Sequence, residues 1–247
     1  LNVTSSNTNP TNFIIIFTDD QGYADVGTFG GDQLKTPHFD QMAAEGMKLT
    51  SFYSAAPLCS PSRAALLTGS YPRRNNMAYG SSFMVLLAAD PKGLNPEEVT
   101  IAEVLDEAGY ATGMFGKWHL GDQQVFLPTR QGFDEFFGIP YSHDIHPFHP
   151  LQSQVNFPPL PLIDGEEIIE TDPDADQLTT RITARAVKFI EKHQTDPFFL
   201  YLAHPLPHEP IHVSPEFLVD ASEQARAVLE SEGNSIDYKD RRGLYPQ

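Results

Sequence analysis

The chain has a single cysteine, Cys59, among 247 residues. It can form no intrachain disulfide, and cysteine usage leaves the redox compartment open. Basic residues are scarce: 16 Lys and Arg stand against 33 Asp and Glu, for a net charge of -17. That balance argues against a nucleic-acid backbone as partner, and binding of any polyanion would need a local basic pocket. No apolar run approaches the length of a membrane span. No signal peptide and no internal repeat can be read. The chain also lacks an initiator Met and begins Leu1-Asn2-Val3-Thr4 in a polar tract, which reads as the start of a processed or trimmed product. Asn2-Val3-Thr4 has the form of a glycosylation sequon, a triplet common by chance.

What is present is enough for a folded core. The hydrophobic fraction is 40% and there are 17 Phe, which excludes a disordered chain. The length suits one large α/β domain or part of a larger one. Residues 1–11 read as a flexible lead-in. Residues 12–18 form a β-branched apolar run that predicts a strand buried on both faces. Thr36-Pro37 opens a helix that runs to about Gly46, and residues 47–53 read as a strand leading toward Cys59. A helix is expected over 97–108, stopped by Gly109, and a strand over 110–115. A long helix over 174–193 delivers the chain to a strand over 198–203. Helices alternating with apolar strands predict an α/β sandwich. The acidic stretch 164–176 reads as a solvated loop with helix-start acids rather than a second cation site. Residues 222–247 are polar and helical in parts, with no cap and no closing strand.

The most informative stretch is Cys59-Ser60-Pro61-Ser62-Arg63, followed by Ala64 to Leu67. Pro61 suits the first turn of a helix, Ser60 and Ser62 can satisfy its free amides, and the Ala/Leu run continues it. Cys59 then sits just before a helix N-terminus, where oriented N–H groups favour negative charge. Arg63, one turn on, adds a bidentate donor for an oxyanion. These residues describe a reactive cysteine in an anion-binding niche.

Four further clusters fall where strands should end: Asp19-Asp20, Lys117 with His119, Tyr141-Ser142-His143-Asp144, and the His-rich segment 204–212. In an open α/β sheet, ligands bind beyond the carboxyl ends of the strands. Each cluster alone has a plainer reading: Asp pairs form turns, Gly116 to Gly121 suits a tight turn, and His208 suits a Pro-rich surface loop. Their recurrence at strand ends favours a shared site.

In combination these motifs closely resemble the type I, formylglycine-dependent sulfatases of the alkaline-phosphatase-like superfamily. Cys59-Ser60-Pro61-Ser62-Arg63 matches that family's Cys-X-Pro-Ser-Arg signature, and Thr18-Asp19-Asp20 resembles its first metal-ligand pair. Phe115-Gly116-Lys117-Trp118-His119-Leu120-Gly121 resembles its second signature. Gly138 to Asp144 looks like the arylsulfatase A-type branch, and Pro207-His208-Glu209-Pro210 fits its later catalytic histidine. The resemblance implies an α/β/α sandwich with a mostly parallel mixed sheet. Residues 12–247 would be the N-terminal part of the catalytic domain, ending before its last strands and the C-terminal domain.

The resemblance also implies a chemistry. A formylglycine-generating or anaerobic maturation enzyme would oxidise Cys59 to Cα-formylglycine. Asp19, Asp20 and the hydrate at position 59 would face a divalent cation, Ca²⁺ with Mg²⁺ as the alternative. The hydrate would attack the sulfur of a sulfate ester while the cation, Arg63 and Lys117 neutralise charge. His208 would protonate the leaving alcohol, His119 would take the proton whose loss expels sulfate, and Ser142 would orient the hydrate or the sulfate. The substrate would be a small sulfate ester or a sulfated glycan, and the setting secreted, periplasmic or lysosomal. Oligomeric state is not legible.

The family completes its metal site with an Asp-Asn or Asp-His pair, and adds a further lysine, from a later strand. Asn234, Asp237 and Lys239 lack that flanking strand, so the roles do not transfer to them. The 247 residues alone are expected to bind metal weakly and to be inactive. Two other readings compete: a phosphonate or phosphate monoester hydrolase on the same scaffold, and a non-catalytic fragment that binds sulfated ligands or is purely structural. Substrate specificity would come from the loops 80–92 and 143–161, the second offering His143, His146, Phe148, His149 and Phe157 as stacking groups or forming a Pro-rich surface loop.

Overall fold

Among the described residues, six strands form one sheet in the order β1-β6-β2-β3-β4-β5. The structure is a computed structural model that describes residues 10–32, 35–149, 152–214, 216–217 and 223. The expectations for Asn2, Asn234, Asp237, Lys239 and most of 222–247 lie outside the described residues.

The strands are β1 (Phe13–Phe17), β2 (Ala111–Lys117), β3 (Glu135–Ile139), β4 (Pro161–Asp164), β5 (Glu167–Thr171) and β6 (Phe198–Ala203). β1, β6, β2 and β3 run parallel, while β4 and β5 add an antiparallel end. The helices are α1 (Pro37–Glu45), α2 (Cys59–Thr68), α3 (Ile101–Glu107), the single turn α4 (Gln152–Val155) and α5 (Ala175–Lys192).

Because side chains alternate across a strand, the sheet divides the core in two. Met114, Phe136, Phe199, Tyr201 and Ala203 face Ala64 and Leu67 of α2 and Ala102 of α3. Phe115, Phe137, Phe198, Leu200 and Leu202 face Leu178, Ile182, Ala186 and Phe189 of α5. Helices thus cover both faces, as the alternating pattern predicts.

The long helix keeps its expected limits, with Asp174 as N-cap accepting from the Asp176 amide. α3 starts four residues later than expected, because Thr100 caps it. Its hydroxyl accepts from the Glu103 amide at 3.1 Å, and the Glu103 carboxylate accepts from the Thr100 amide at 2.7 Å, a reciprocal box. The same hydroxyl donates to the Gln131 carbonyl at 2.9 Å. Thr100→Val is therefore expected to lower the unfolding free energy by about 1–2 kcal/mol. Urea unfolding checks this, and an unchanged midpoint would mean the Glu103 half of the box suffices.

Three expectations are corrected. Residues 47–53 form no strand; they are irregular, with Met47, Leu49, Phe52 and Tyr53 exposed. β1 lies where expected but at the sheet edge, with Ile14 and Ile16 nearly half exposed, so its apolar run is not buried on both faces. The acidic segment 164–176 is not a loop. It ends β4, forms β5 and starts α5, and its acids pair with α5: Asp164 with Arg185, and Glu170 with Arg181 at 2.6 Å.

Candidate active site

Four parallel strands bring their carboxyl ends to one edge of the sheet. Asp19 and Asp20 follow β1, His119 follows β2, Ser142 and His143 follow β3, and segment 204–212 follows β6. The close approach of β6, β2 and β3 needs glycine at Gly116. Its φ is 121°, and a Cβ there would strike the Ala203 carbonyl. A side chain at this position would push apart the strands that aim Lys117 and His119.

The fifth group comes from the start of α2. Cys59 is its first residue, with Leu58 as N-cap and no side-chain cap. Ser60 and Ser62 therefore do not satisfy their own helix's amides as the sequence suggests. The niche also does not activate the thiol. Burial pushes the Cys59 pKa up, Asp19 adds to that, and Lys117 and Arg63 only oppose it. A protonated, half-buried thiol is a poor nucleophile.

The centre of the site is a buried charge cluster. Arg63 and Lys117 are fully buried, and Asp19 is 4% exposed. Lys117 Nζ donates to Asp19 Oδ2 and, at 3.0 Å, to Ser142 Oγ. Arg63 Nη2 lies 3.3 Å from Asp19 Oδ1, and Nη1 donates to the Lys117 carbonyl at 2.9 Å. The guanidinium stacks over the Phe17 ring, 5.3 Å from its centroid. Burial opposes ionisation of Asp19, but Lys117 and Arg63 outweigh it and bring the carboxyl down to about 2. Two cations thus share one buried anion. Arg63 Nε has no hydrogen-bond acceptor among the described residues, and Nη2 has only its ion pair with Asp19, which leaves donor capacity for an oxyanion.

His119 is held at φ 60°, a left-handed backbone for a residue with a Cβ. Its Nε2 lies 2.7 Å from the Leu86 carbonyl. A carbonyl only accepts, so Nε2 carries the hydrogen and Nδ1 keeps its lone pair. Nδ1 is buried without a partner among the described residues. Burial holds the ring's pKa well below its ordinary value, with Lys117 adding to the effect. His119 is a neutral imidazole with one unused basic nitrogen.

The last pair is looser. Asp20, also in the left-handed region at φ 65°, is exposed, and its Oδ2 lies 3.8 Å from His208 Nε2. His208 Nδ1 donates to the Glu209 carbonyl at 2.5 Å, so Nε2 is the atom turned toward Asp20. The neighbouring His143 ring meets His208 edge to face at 5.7 Å, and its Nε2 donates to the Pro210 carbonyl at 2.9 Å.

Asp19, Arg63, Lys117 and Ser142 are therefore in direct contact, and Cys59 and His119 lie within their electrostatic reach. Asp20 and His208 form a separate contact. Sequence reasoning passed over Tyr201, whose hydroxyl accepts from Arg63 at 3.4 Å, and the Leu86 carbonyl that fixes His119. A backbone acceptor and a core tyrosine leave no mark in a sequence. In the loop 143–161, His146 and Phe157 are buried, and the His149 and Phe157 rings meet at 5.0 Å. These rings pack on one another rather than forming an open stacking platform.

A hard divalent cation requires six or more oxygens. Asp19 and Asp20 offer carboxylates, but Asp19 is already shared by two cations. No group of three His, Cys, Asp or Glu suited to a metal occurs among the described residues. These residues do not by themselves make a cation site.

Residues 11–241 match the family model described as Sulfatase. The chain is 43% identical over 219 residues to human (Homo sapiens) arylsulfatase A, covering 81% of this chain and 42% of that protein. It is 39% identical over 224 residues to the N-acetylgalactosamine-6-sulfatase of the dog (Canis lupus familiaris), covering 85% of this chain and 42% of that protein. Among solved structures, the PsFucS1 sulfatase from Pseudoalteromonas sp. superposes with a TM-score of 0.72 at 27% identity, covering 94% of this chain and 50% of that one. The chain thus spans less than half the length of these two curated relatives.

Proposed function

The chain belongs to the sulfatase family, and from that premise we propose that the protein of which these residues form part hydrolyses a sulfate ester of a carbohydrate or aryl alcohol. Residues 12–247 supply the N-terminal part of its catalytic domain. The observation that carries this reading is the buried cluster at the start of α2. Two cations face one carboxylate there, and the Arg63 guanidinium keeps spare donor capacity at Nε beside Cys59.

Sulfatases of this family generally carry a Cα-formylglycine and a divalent metal. At position 59, the hydrated aldehyde would supply both the attacking oxygen and a second hydroxyl, whose proton must leave before sulfate can. Arg63 and Lys117 bind the sulfuryl oxygens and hold the charge that grows on them. Ser142, fixed by Lys117, orients the group at position 59 or the bound sulfate. His208, whose Nδ1 proton is held by the Glu209 carbonyl, offers a second proton from Nε2 to the departing alcohol when its ring is an imidazolium facing Asp20. His119, neutral with its lone pair on Nδ1, takes a proton in return. Asp19 and Asp20 are the carboxylates of this chain that would face a family metal, Ca²⁺ by preference, and they would need further ligands. We place the enzyme in a secreted, periplasmic or lysosomal setting, served by a maturation enzyme that oxidises Cys59. Among the described residues no helix is long and apolar enough to cross a membrane.

The test uses the full-length protein made together with a maturation enzyme. The peptide bearing Cys59 should show the mass of formylglycine, and an aryl sulfate should turn over faster than the matching aryl phosphate. Conversion of Cys59 without sulfate release, or preference for phosphate, would overturn the reading.

A further inference from the structure

Ser60 occupies the variable position of the motif, is 1% exposed, and does not cap its own helix. Its hydroxyl instead accepts from the Leu86 amide at 3.2 Å. The carbonyl of that same residue accepts from His119 Nε2 at 2.7 Å. Leu86 and His119 are themselves buried, at 2% and 1% exposure, so water cannot replace either bond cheaply. One residue of the loop 80–92 thus links the first turn of α2, beside Cys59, to the ring that follows β2.

We propose that Ser60 is a positioning residue for His119, acting through Leu86. It fixes where the Leu86 carbonyl lies. That carbonyl fixes Nε2 as the protonated nitrogen and leaves the lone pair on Nδ1, as a base at that atom requires. The inference rests on the role given to His119 above.

Ser60 is not what holds the loop as a whole. The Asp90 carboxylate accepts from the Ser81 amide at 2.9 Å and from its hydroxyl, and Asp122 Oδ2 accepts from the Ala89 amide at 2.6 Å. With these anchors intact, losing the Ser60 hydroxyl frees the backbone at Leu86, whose N–H and carbonyl sit in successive peptide groups linked by its φ and ψ, to turn without releasing the loop. The effect should fall on His119 rather than on folding.

The experiment compares the matured full-length protein with Ser60→Ala and Ser60→Thr, with rates expressed per mole of formylglycine because the motif is also the site of maturation. Ser60→Ala should lower kcat for an aryl sulfate about five- to tenfold, the value of one buried hydrogen bond, with KM within about twofold. Ser60→Thr keeps the hydroxyl and should recover most of the loss. Independently of turnover, nitrogen NMR of labelled histidines should show His119 as the Nε2–H tautomer in the parent and as a mixture in Ser60→Ala. An unchanged kcat in Ser60→Ala, or a tautomer that stays fixed there, would overturn the proposal. If the parent turns over no sulfate ester but its tautomer still responds to Ser60→Ala, the coupling stands and the sulfatase reading alone falls.

Discussion

Asp19→Asn is expected to destabilise the fold by about 3–5 kcal/mol, the cost of leaving buried charge without its partner. Lys117 and Arg63 are fully buried and share this one carboxylate. An amide has nearly the same shape but no charge, so the packing survives while two cations lose their counter-ion. Urea unfolding reads the loss, and a change under about 1 kcal/mol would mean that water reaches the cluster. Removing one cation as well, as in Asp19→Asn with Lys117→Met, should recover part of it, because less charge then stays unpaired.

The same cluster sets an acid limit. The folded pKa of Asp19, about 2, lies below the unfolded value of about 3.9. Its contribution is therefore fully present above pH ~4, is lost as the pH falls toward 2, and amounts to roughly 2–3 kcal/mol. Asp19→Asn should flatten that part of the stability curve.

Cys59→Ala, made in the full-length protein, is expected to lower sulfate-ester turnover by roughly 10⁵-fold or more, as loss of a nucleophile does. The anion cradle should survive, because Arg63 and Lys117 are held by Asp19, Tyr201, Ser142 and backbone rather than by position 59. Inhibition or protection by inorganic sulfate should therefore persist within about threefold. Cys59→Ser gives the sharper contrast. Its hydroxyl can accept a sulfuryl group but has no second hydroxyl whose deprotonation would expel sulfate, so about one equivalent of alcohol should appear and turnover then stop. Sustained turnover by Cys59→Ser would exclude a role for the aldehyde.

Much of this was written in local patterns. Phe-Ile-Ile-Ile-Phe announced β1, Asp174 and the spacing of Leu178, Ile182, Ala186 and Phe189 announced α5, and Phe198 to Ala203 announced β6. Residues 47–53 misled because Met-Lys-Leu-Thr-Ser-Phe-Tyr has strand composition, yet no strand partner meets it among the described residues. β5 was hidden because Glu167-Ile168-Ile169-Glu170-Thr171 lies on a partly solvated edge and reads as acidic loop. β3 followed no expected element at all, since its pairing with β2 on one side and β4 on the other makes Glu135–Ile139 a strand.

The chemical groups and their order are legible in the bare chain: the Cys-X-Pro-Ser-Arg start of α2, the carboxylates after β1, the Lys that ends β2 and the His beyond it, and the histidines after β6. Those rest on covalent order and local propensity, which a single chain displays. The fold alone makes Asp19 the shared partner of Lys117 and Arg63 and keeps the Cys59 thiol protonated by burial. It also decided that Ser60 turns away from its own helix to hold Leu86, and so His119. Those outcomes depend on contacts between residues 26, 33 and 98 positions apart. Burial, which local sequence does not encode, sets their strength.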